Sequence, residues 1–132
     1  MKKIISLLSI FTLFFSLSTI LAQEAWTVPP GEKERANPFV DDEATLSVGK
    51  SLYNKHCKQC HGKEGLGDGP AAGKLSTTIP DLTSKIISVQ SDGELFFKMS
   101  KGRAEMPGFE KTISDAEDRW LVINYLRTLM AE

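Results

Sequence analysis

The chain has 132 residues, of which 41% are hydrophobic and 25% charged, an ordinary globular composition that excludes collagen-like, low-complexity and wholly disordered chains. Two cysteines exclude a dense disulfide framework and leave one bridge, one metal or redox site, or one covalent attachment point. The apolar content is uneven: Ile4 to Ala22 carries no charge, and all 17 acidic residues lie after it.

Lys2 and Lys3 precede that uncharged run, which ends at Ile20-Leu21-Ala22 before Gln23 and Glu24. A basic start, an apolar stretch and a small residue at the end are the order of a secretory signal, so residues 1–22 are expected to act as one. An uncleaved anchor is the alternative, because the run is close to the shortest that spans a bilayer. Under either reading the rest of the chain is exported, to a periplasmic or other extracytoplasmic space. Without the segment 14 basic residues face 17 acids, and such an acidic balance argues against nucleic acid as the main partner. The remaining 110 residues can bury only a modest core.

Residues 23–43 contain Pro29, Pro30, Gly31 and Pro38 among charges and read as an irregular arm, in which Trp26 hints at packing. From Thr45 the pattern turns helical, with Val48, Leu52 and Tyr53 on one face and Gly49 beside them. A glycine-rich loop follows from Gly62 to Gly73. Ser91-Asp92-Gly93-Glu94 and Ser114-Asp115-Ala116-Glu117 each match the capping box that opens a helix. The first leads into Leu95, Phe96 and Met99; the second leads into the stripe Leu121, Val122, Tyr125, Leu126 and Leu129. No run alternates as a strand does, so residues 44–132 are expected to form a small all-α domain with long irregular connections.

The chemistry is concentrated in Cys57-Lys58-Gln59-Cys60-His61. Cysteines three apart on a helical turn share a side, and a histidine four after the first points the same way. That spacing suits two thioethers to a haem and an imidazole on its iron, and C-x-x-C-H is the attachment signature of c-type haem. A thioredoxin-like pair would need a strand before it. Zinc would need a fourth ligand, yet the only other histidine is His56, next to Cys57. A disulfide across so short a loop would stabilise little.

A haem that only carries electrons needs a second axial ligand. Met99, Met106 and Met130 are the methionines after the first segment. Met106 is preferred because Pro107 biases it toward an extended conformation and stiffens the loop that presents the thioether. Met99 fits an apolar helix face and Met130 lies near the chain end. A ligating histidine usually gives its other ring proton to a carbonyl; Pro80 is a candidate for that carbonyl, with Pro70 a rival. Tyr53, Leu82, Phe96, Trp120, Val122 and Tyr125 are expected to serve as core and haem wall together.

The chain resembles the class I c-type cytochromes, specifically small bacterial monohaem forms. The residues that carry the resemblance are Gly49 and Tyr53, Cys57-x-x-Cys60-His61-Gly62, Gly65-x-Gly67-Asp68-Gly69-Pro70, Pro80-Asp81-Leu82, Met106-Pro107 and the segment from Trp120 to Leu129. The resemblance implies a cytochrome c fold of three main helices, the first and last crossing near Gly49 and Tyr125, with long loops wrapped around one covalently attached haem c. It also implies metal ligation by His61 and Met106 with the Pro80 carbonyl acting on His61. Residues 23–43 lie outside the common fold.

The expected function is one-electron transfer between a donor and an acceptor redox protein rather than enzymatic turnover, because both axial positions of the iron are filled. Two other functions stay open: an electron-transfer subunit held in a membrane respiratory complex, and a haem-based ligand sensor or peroxidase-like protein if Met106 is not a ligand. Membrane contact is expected only through an uncleaved first segment or through a complex partner. Lys55, Lys58, Lys63, Lys74, Lys98, Lys101 and Lys111 could form a positive docking face.

Overall fold

A computed structural model describes residues 25–130; the expected targeting segment lies outside them. The described residues form α-helices and no strand, in the order α1 (Pro30–Lys33), α2 (Glu43–His56), α3 (Lys58–His61), α4 (Lys85–Ser88), α5 (Asp92–Lys101) and α6 (Ala116–Met130), with one 3₁₀ turn at Ala72–Lys74. Among these residues no helix is long and apolar enough to cross a membrane. The all-α expectation holds, and α2, α5 and α6 are its three main helices.

Asp42 starts α2 by accepting a hydrogen bond from Thr45 N at 2.8 Å, satisfying an amide that the first turn leaves unpaired. α2 then crosses α6, the most extensive helix pairing in the fold. The crossing is made possible by Gly49: a Cβ placed there would lie 2.0 Å from the Leu121 carbonyl oxygen and 3.1 Å from Tyr125 Cβ. One turn further on, the Tyr53 and Tyr125 rings meet with centroids 5.3 Å apart. Tyr53 is fully buried, whereas Val48, expected on the same apolar face, stays 42% exposed. The physical reason is that Gly49, not Val48, meets the partner helix, which leaves Val48 at the rim of the crossing.

α5 opens with the expected capping box, in which Glu94 N donates to Ser91 Oγ at 3.1 Å and Ser91 N donates to Glu94 Oε2 at 3.0 Å. α6 is different: it starts at Ala116, and the cap is Asp115, whose carboxylate accepts from Glu117 N at 2.9 Å. A carboxylate one residue closer to the helix competes successfully with the Ser114 hydroxyl for that role.

The core lies between α5 and α6 and includes Leu95, Phe96, Met99, Phe109, Ile113, Trp120, Val122 and Ile123. Phe96 and Trp120 stack at 4.0 Å with an interplanar angle of 19°. Leu82 and Tyr125, expected as core, are half-buried. Arg127 ties the end of α6 to the start of α5 through Asp92 at 2.7 Å, and also donates to the Ser88 and Gln90 carbonyls.

The arm is seated on this core. Val28 is buried, the Arg35 guanidinium lies 4.7 Å over the Phe96 ring and 5.2 Å over Trp120, and Ser91 Oγ donates to the Lys33 carbonyl at 2.7 Å. Asn37 Nδ2 donates to Asn124 Oδ1, while Asn124 Nδ2 returns bonds to the Phe39 and Val40 carbonyls at 3.3 and 3.1 Å. The arm is irregular apart from α1, as its prolines suggest, but its polar groups find partners on α5 and α6 instead of water.

Candidate functional site

The helix that began at Asp42 breaks at Cys57, where φ reaches −113°, and resumes as the single turn α3. The turn is closed by Cys60 N and His61 N, which donate to the Cys57 carbonyl at 3.1 and 2.9 Å. The glycine-rich loop folds back onto it: Gly67 N donates to the His61 carbonyl at 2.8 Å, Gly69 N to Cys60 at 3.1 Å and Ala71 N to Gln59 at 2.9 Å. Gly67 has φ +79°, and a Cβ on it would meet the Ile79 carbonyl oxygen at 2.5 Å and that of Pro80 at 3.2 Å. The loop can therefore hold the Ile79-Pro80 backbone close to α3 only with glycine at this position. Tyr53 Oη, buried beneath, donates to the Gly62 carbonyl at 2.7 Å. Burial raises the Tyr53 pKa, so the hydroxyl keeps the proton it donates.

Two apolar cavities, or chambers, adjoin α3. The smaller, about 90 Å³, is bordered by His56, Cys57, Cys60 and His61 on one side and by Leu75, Ile79, Glu105, Met106, Pro107 and Phe109 around it. The larger, about 350 Å³, is bordered by Cys57, His61, Pro80, Met99 and Met106, with Trp26, Leu82, Ile87, Val122 and Leu126 among its walls. Cys57, His61 and Met106 border both chambers. The structure thus places Cys57, Cys60, His61, Pro80 and Met106 along two adjoining apolar cavities, the larger of the size usual for a bound ligand.

The chemistry of the donors fits a covalently attached haem. Both cysteines are free thiols and half-buried. Burial, reinforced by the neighbouring Cys60, pushes the Cys57 thiol up to about 12, the opposite of the lowered value of a redox-active thiolate. Burial also lowers the His61 pKa, which favours the neutral imidazole that a metal requires. Pro80 acts against that shift through its carbonyl. The approach is looser than a full hydrogen bond, for His61 Nδ1 is buried and without a hydrogen-bond partner. A buried ring nitrogen without a partner is costly.

Met106 sits on a tight turn after α5, half-buried. Arg103 N donates to the Met106 carbonyl at 2.9 Å and Met106 N returns a bond to Arg103 at 3.0 Å. Of the other methionines, Met99 is 5% exposed within the core and also borders the larger chamber. Met130 packs against the core and accepts a hydrogen bond from Arg127 at 3.4 Å. His56 edges against Phe109 at 6.0 Å, on the cysteine side of the smaller chamber. Pro70, the rival to Pro80, does not border either chamber.

Sequence reasoning missed Trp26 as a cavity wall, its indole lying beneath Arg103 and Lys98 at 4.7 and 5.9 Å. A lone aromatic in a proline-containing arm was its only signal. Glu105 was missed as well, because nothing in the local pattern indicates that its partners lie 28 and 29 residues away. The suggested positive face is reduced: Lys63 pairs with Glu64 and Lys101 with Glu110, at 3.3 and 2.7 Å.

Residues 44–126 match the family described as cytochrome C oxidase, cbb3-type, subunit III, which covers well over half the chain and leaves the arm outside. The chain is 27% identical over 99 residues to cytochrome c550 of Pseudomonas aeruginosa, a match covering 70% of this chain and 61% of that protein. It also superposes on a chain of the Kuenenia stuttgartiensis reducing HAO-like protein complex with a TM-score of 0.62 and 29% identity, covering 70% of this chain and 46% of the other. The chain therefore spans less than two thirds of the length of either relative. With the apolar lining, the two free thiols and the adjacent His61 on one side and the family match on the other, the chain belongs to the cbb3-type subunit III cytochrome family: it is an all-α c-type cytochrome that carries covalently attached haem c.

Proposed function

We propose that this protein is an exported monohaem cytochrome that passes single electrons between a donor and an acceptor redox protein. In this reading Cys57 and Cys60 hold the haem as thioethers, His61 and Met106 ligate the iron, and the Pro80 carbonyl orients the His61 ring. Bound haem supplies a ferric/ferrous couple, and thioether ligation opposite histidine raises its potential. The observation that carries the reading is that Cys57, His61 and Met106 line both of the adjoining apolar chambers. Met99 is less suited to ligation, because its helix buries it among Phe96, Trp120 and their neighbours.

The chain's own residues have three tasks here. Tyr53 and the glycine-rich loop hold α3 in place, the apolar walls would exclude water from the haem, and His61 and Met106, by holding the iron between them, would leave it no position for a substrate. Residues 1–22 direct export, residues 23–43 strap the domain, and residues 44–132 form the haem domain. Export places the protein in the periplasm or an equivalent extracytoplasmic compartment. The cytochrome c550 relative supports this carrier reading.

A second reading is favoured by the family description and by the relative that belongs to a complex: the protein is an electron-transfer subunit of a larger assembly. Native mass measurement of membrane and soluble fractions separates the two, since a subunit elutes with its assembly and a diffusing carrier alone. Visible spectroscopy tests the ligand set. The ferric protein should show the weak far-red band of thioether-ligated haem, and Met106→Ala should abolish it and lower the potential. Loss of the band in Met99→Ala but not in Met106→Ala would overturn the ligand assignment. Ready binding of carbon monoxide by the reduced wild type would favour a ligand sensor instead.

A further inference from the structure

We propose that Glu105 is the positioning residue for Met106: its carboxylate, gripped by Ser76 and Thr77, closes the Met106 turn over the smaller chamber and keeps the thioether on the iron. The proposal rests on the ligand assignment made above. Ser76 N and Oγ donate to Glu105 at 3.2 and 2.9 Å. Thr77 N donates at 2.8 Å, and Thr77 Oγ1 makes a further short bond to the same oxygen. One side chain thus gathers two backbone amides and two hydroxyls from a segment that belongs to no helix. Those amides have no ladder to join, and Glu105 accepts from them in place of water.

The two segments so joined come from opposite sides of the site. Residues 75–80 follow the loop that wraps α3 and reach Pro80 beside His61; residues 103–107 follow α5 and carry Met106. Leu75 and Ile79 from the first, with Glu105, Met106 and Pro107 from the second, border the chamber that also holds both cysteines. Glu105 therefore ties the histidine side of the site to the methionine side.

The Met106 turn needs such a tie. The paired Arg103 and Met106 bonds make residues 103–106 a single rigid unit, so whatever holds Glu105 holds Met106. Within the unit Ala104 has φ +52°, a left-handed conformation that a residue with a Cβ adopts at a cost. The base of the turn is fixed to α5, where Phe109 N donates to the Met99 carbonyl at 3.1 Å. The tip is held across the chamber by Glu105. Exposed carboxylate contacts of this kind contribute little to global stability. Their effect falls instead on the local equilibrium between a closed turn and an open one, and an external ligand reaches the iron only in the open state.

The test is imidazole binding to the intact ferric protein, followed by loss of the far-red band, together with the reduction potential. The variants are Glu105→Ala, Glu105→Gln and the double variant Ser76→Ala/Thr77→Ala, all of which retain Met106. Glu105→Ala should bind imidazole on the order of tenfold more tightly, with a weakened band and a lowered potential, while melting close to wild type; the double variant, which keeps both backbone amide donors, should shift the same way by less. Glu105→Gln should fall between, because an amide oxygen in the place of Oε2 still accepts from three of the four donors while the charge is lost. If Glu105→Ala or the double variant folds and keeps wild-type imidazole affinity, band and potential, the clamp is refuted and the ligand assignment stands. If the wild-type protein lacks the band, the ligand assignment fails first and takes the clamp with it.

Discussion

Replacing Gly49 with alanine tests the helix crossing that frames the haem site. An added Cβ would sit 2.0 Å from the Leu121 carbonyl oxygen and 2.7 Å from its carbon, where real Cβ atoms essentially never come closer than 3.0 Å. Backbone cannot rotate aside as a side chain can, so α2 must withdraw from α6 by roughly 1 Å. Overpacking of this kind costs about 1–3 kcal/mol, against which alanine regains at most about 1 kcal/mol of helix propensity. Subtracting the full gain leaves a net loss of up to about 2 kcal/mol, which lowers the melting temperature by up to about 16 °C in a domain of this size. The withdrawal also separates Tyr53 from Tyr125, now 5.3 Å apart. Thermal melts of the haem-loaded protein, followed by far-UV circular dichroism at one scan rate, measure the change. Gly73→Ala is the control, since nothing lies within 4 Å of a Cβ there, and it should be neutral or stabilising by about 0.5 kcal/mol. A Gly49→Ala protein that melts at or above wild type would refute the close-crossing argument.

Tyr53→Phe removes a fully buried hydroxyl and leaves the Gly62 carbonyl without its 2.7 Å donor; it should cost about 1–3 kcal/mol in denaturant unfolding, and an unchanged midpoint would count against that bond. The Glu94 carboxyl lies below its ordinary value of 4.5, chiefly because it accepts from Ser91 N and then because Lys33 lies close. Its contribution is therefore present above the unfolded pKa and is lost as pH falls through the lower folded value. Glu94→Gln should flatten the decline in stability below about pH 4.5, and an identical acid limb in both proteins would contradict the assignment. A Cys57→Ser/Cys60→Ser protein, unable to attach haem, should be poorly ordered because a bound cofactor stabilises only the folded chain; a well-resolved near-UV circular dichroism spectrum would show otherwise.

The local chemistry was legible in the residues themselves. The Cys57 to His61 spacing declares its cofactor because a single helical turn aligns all three side chains, and the Ser91 to Glu94 box declares a helix start because both of its bonds are made within four residues. The stiff turn that carries Met106 was legible through Pro107, whose ring restricts the residue before it. In each case the decisive interactions are near in sequence, so side-chain type and spacing suffice to determine them.

What tertiary structure decided is everything that depends on a distant partner. The arm's prolines and charges resemble those of a solvated tether, and only the faces of α5 and α6 turn Arg35, Asn37 and Val28 into packing residues. Val48 and Gly49 are neighbours on one helix, and the approach of α6 alone decides that the glycine meets it. Asp115 and Ser114 compete for one cap within a turn, a choice set by where the helix is allowed to begin. Glu105 is an exposed acid in its own segment, and it joins residues 76–77 to the Met106 turn only when the fold brings Ser76 and Thr77 to it. Sequence determined which groups could do chemistry, because that follows from bonds within a turn or two; the fold determined which of them are held together, because that follows from contacts across the chain.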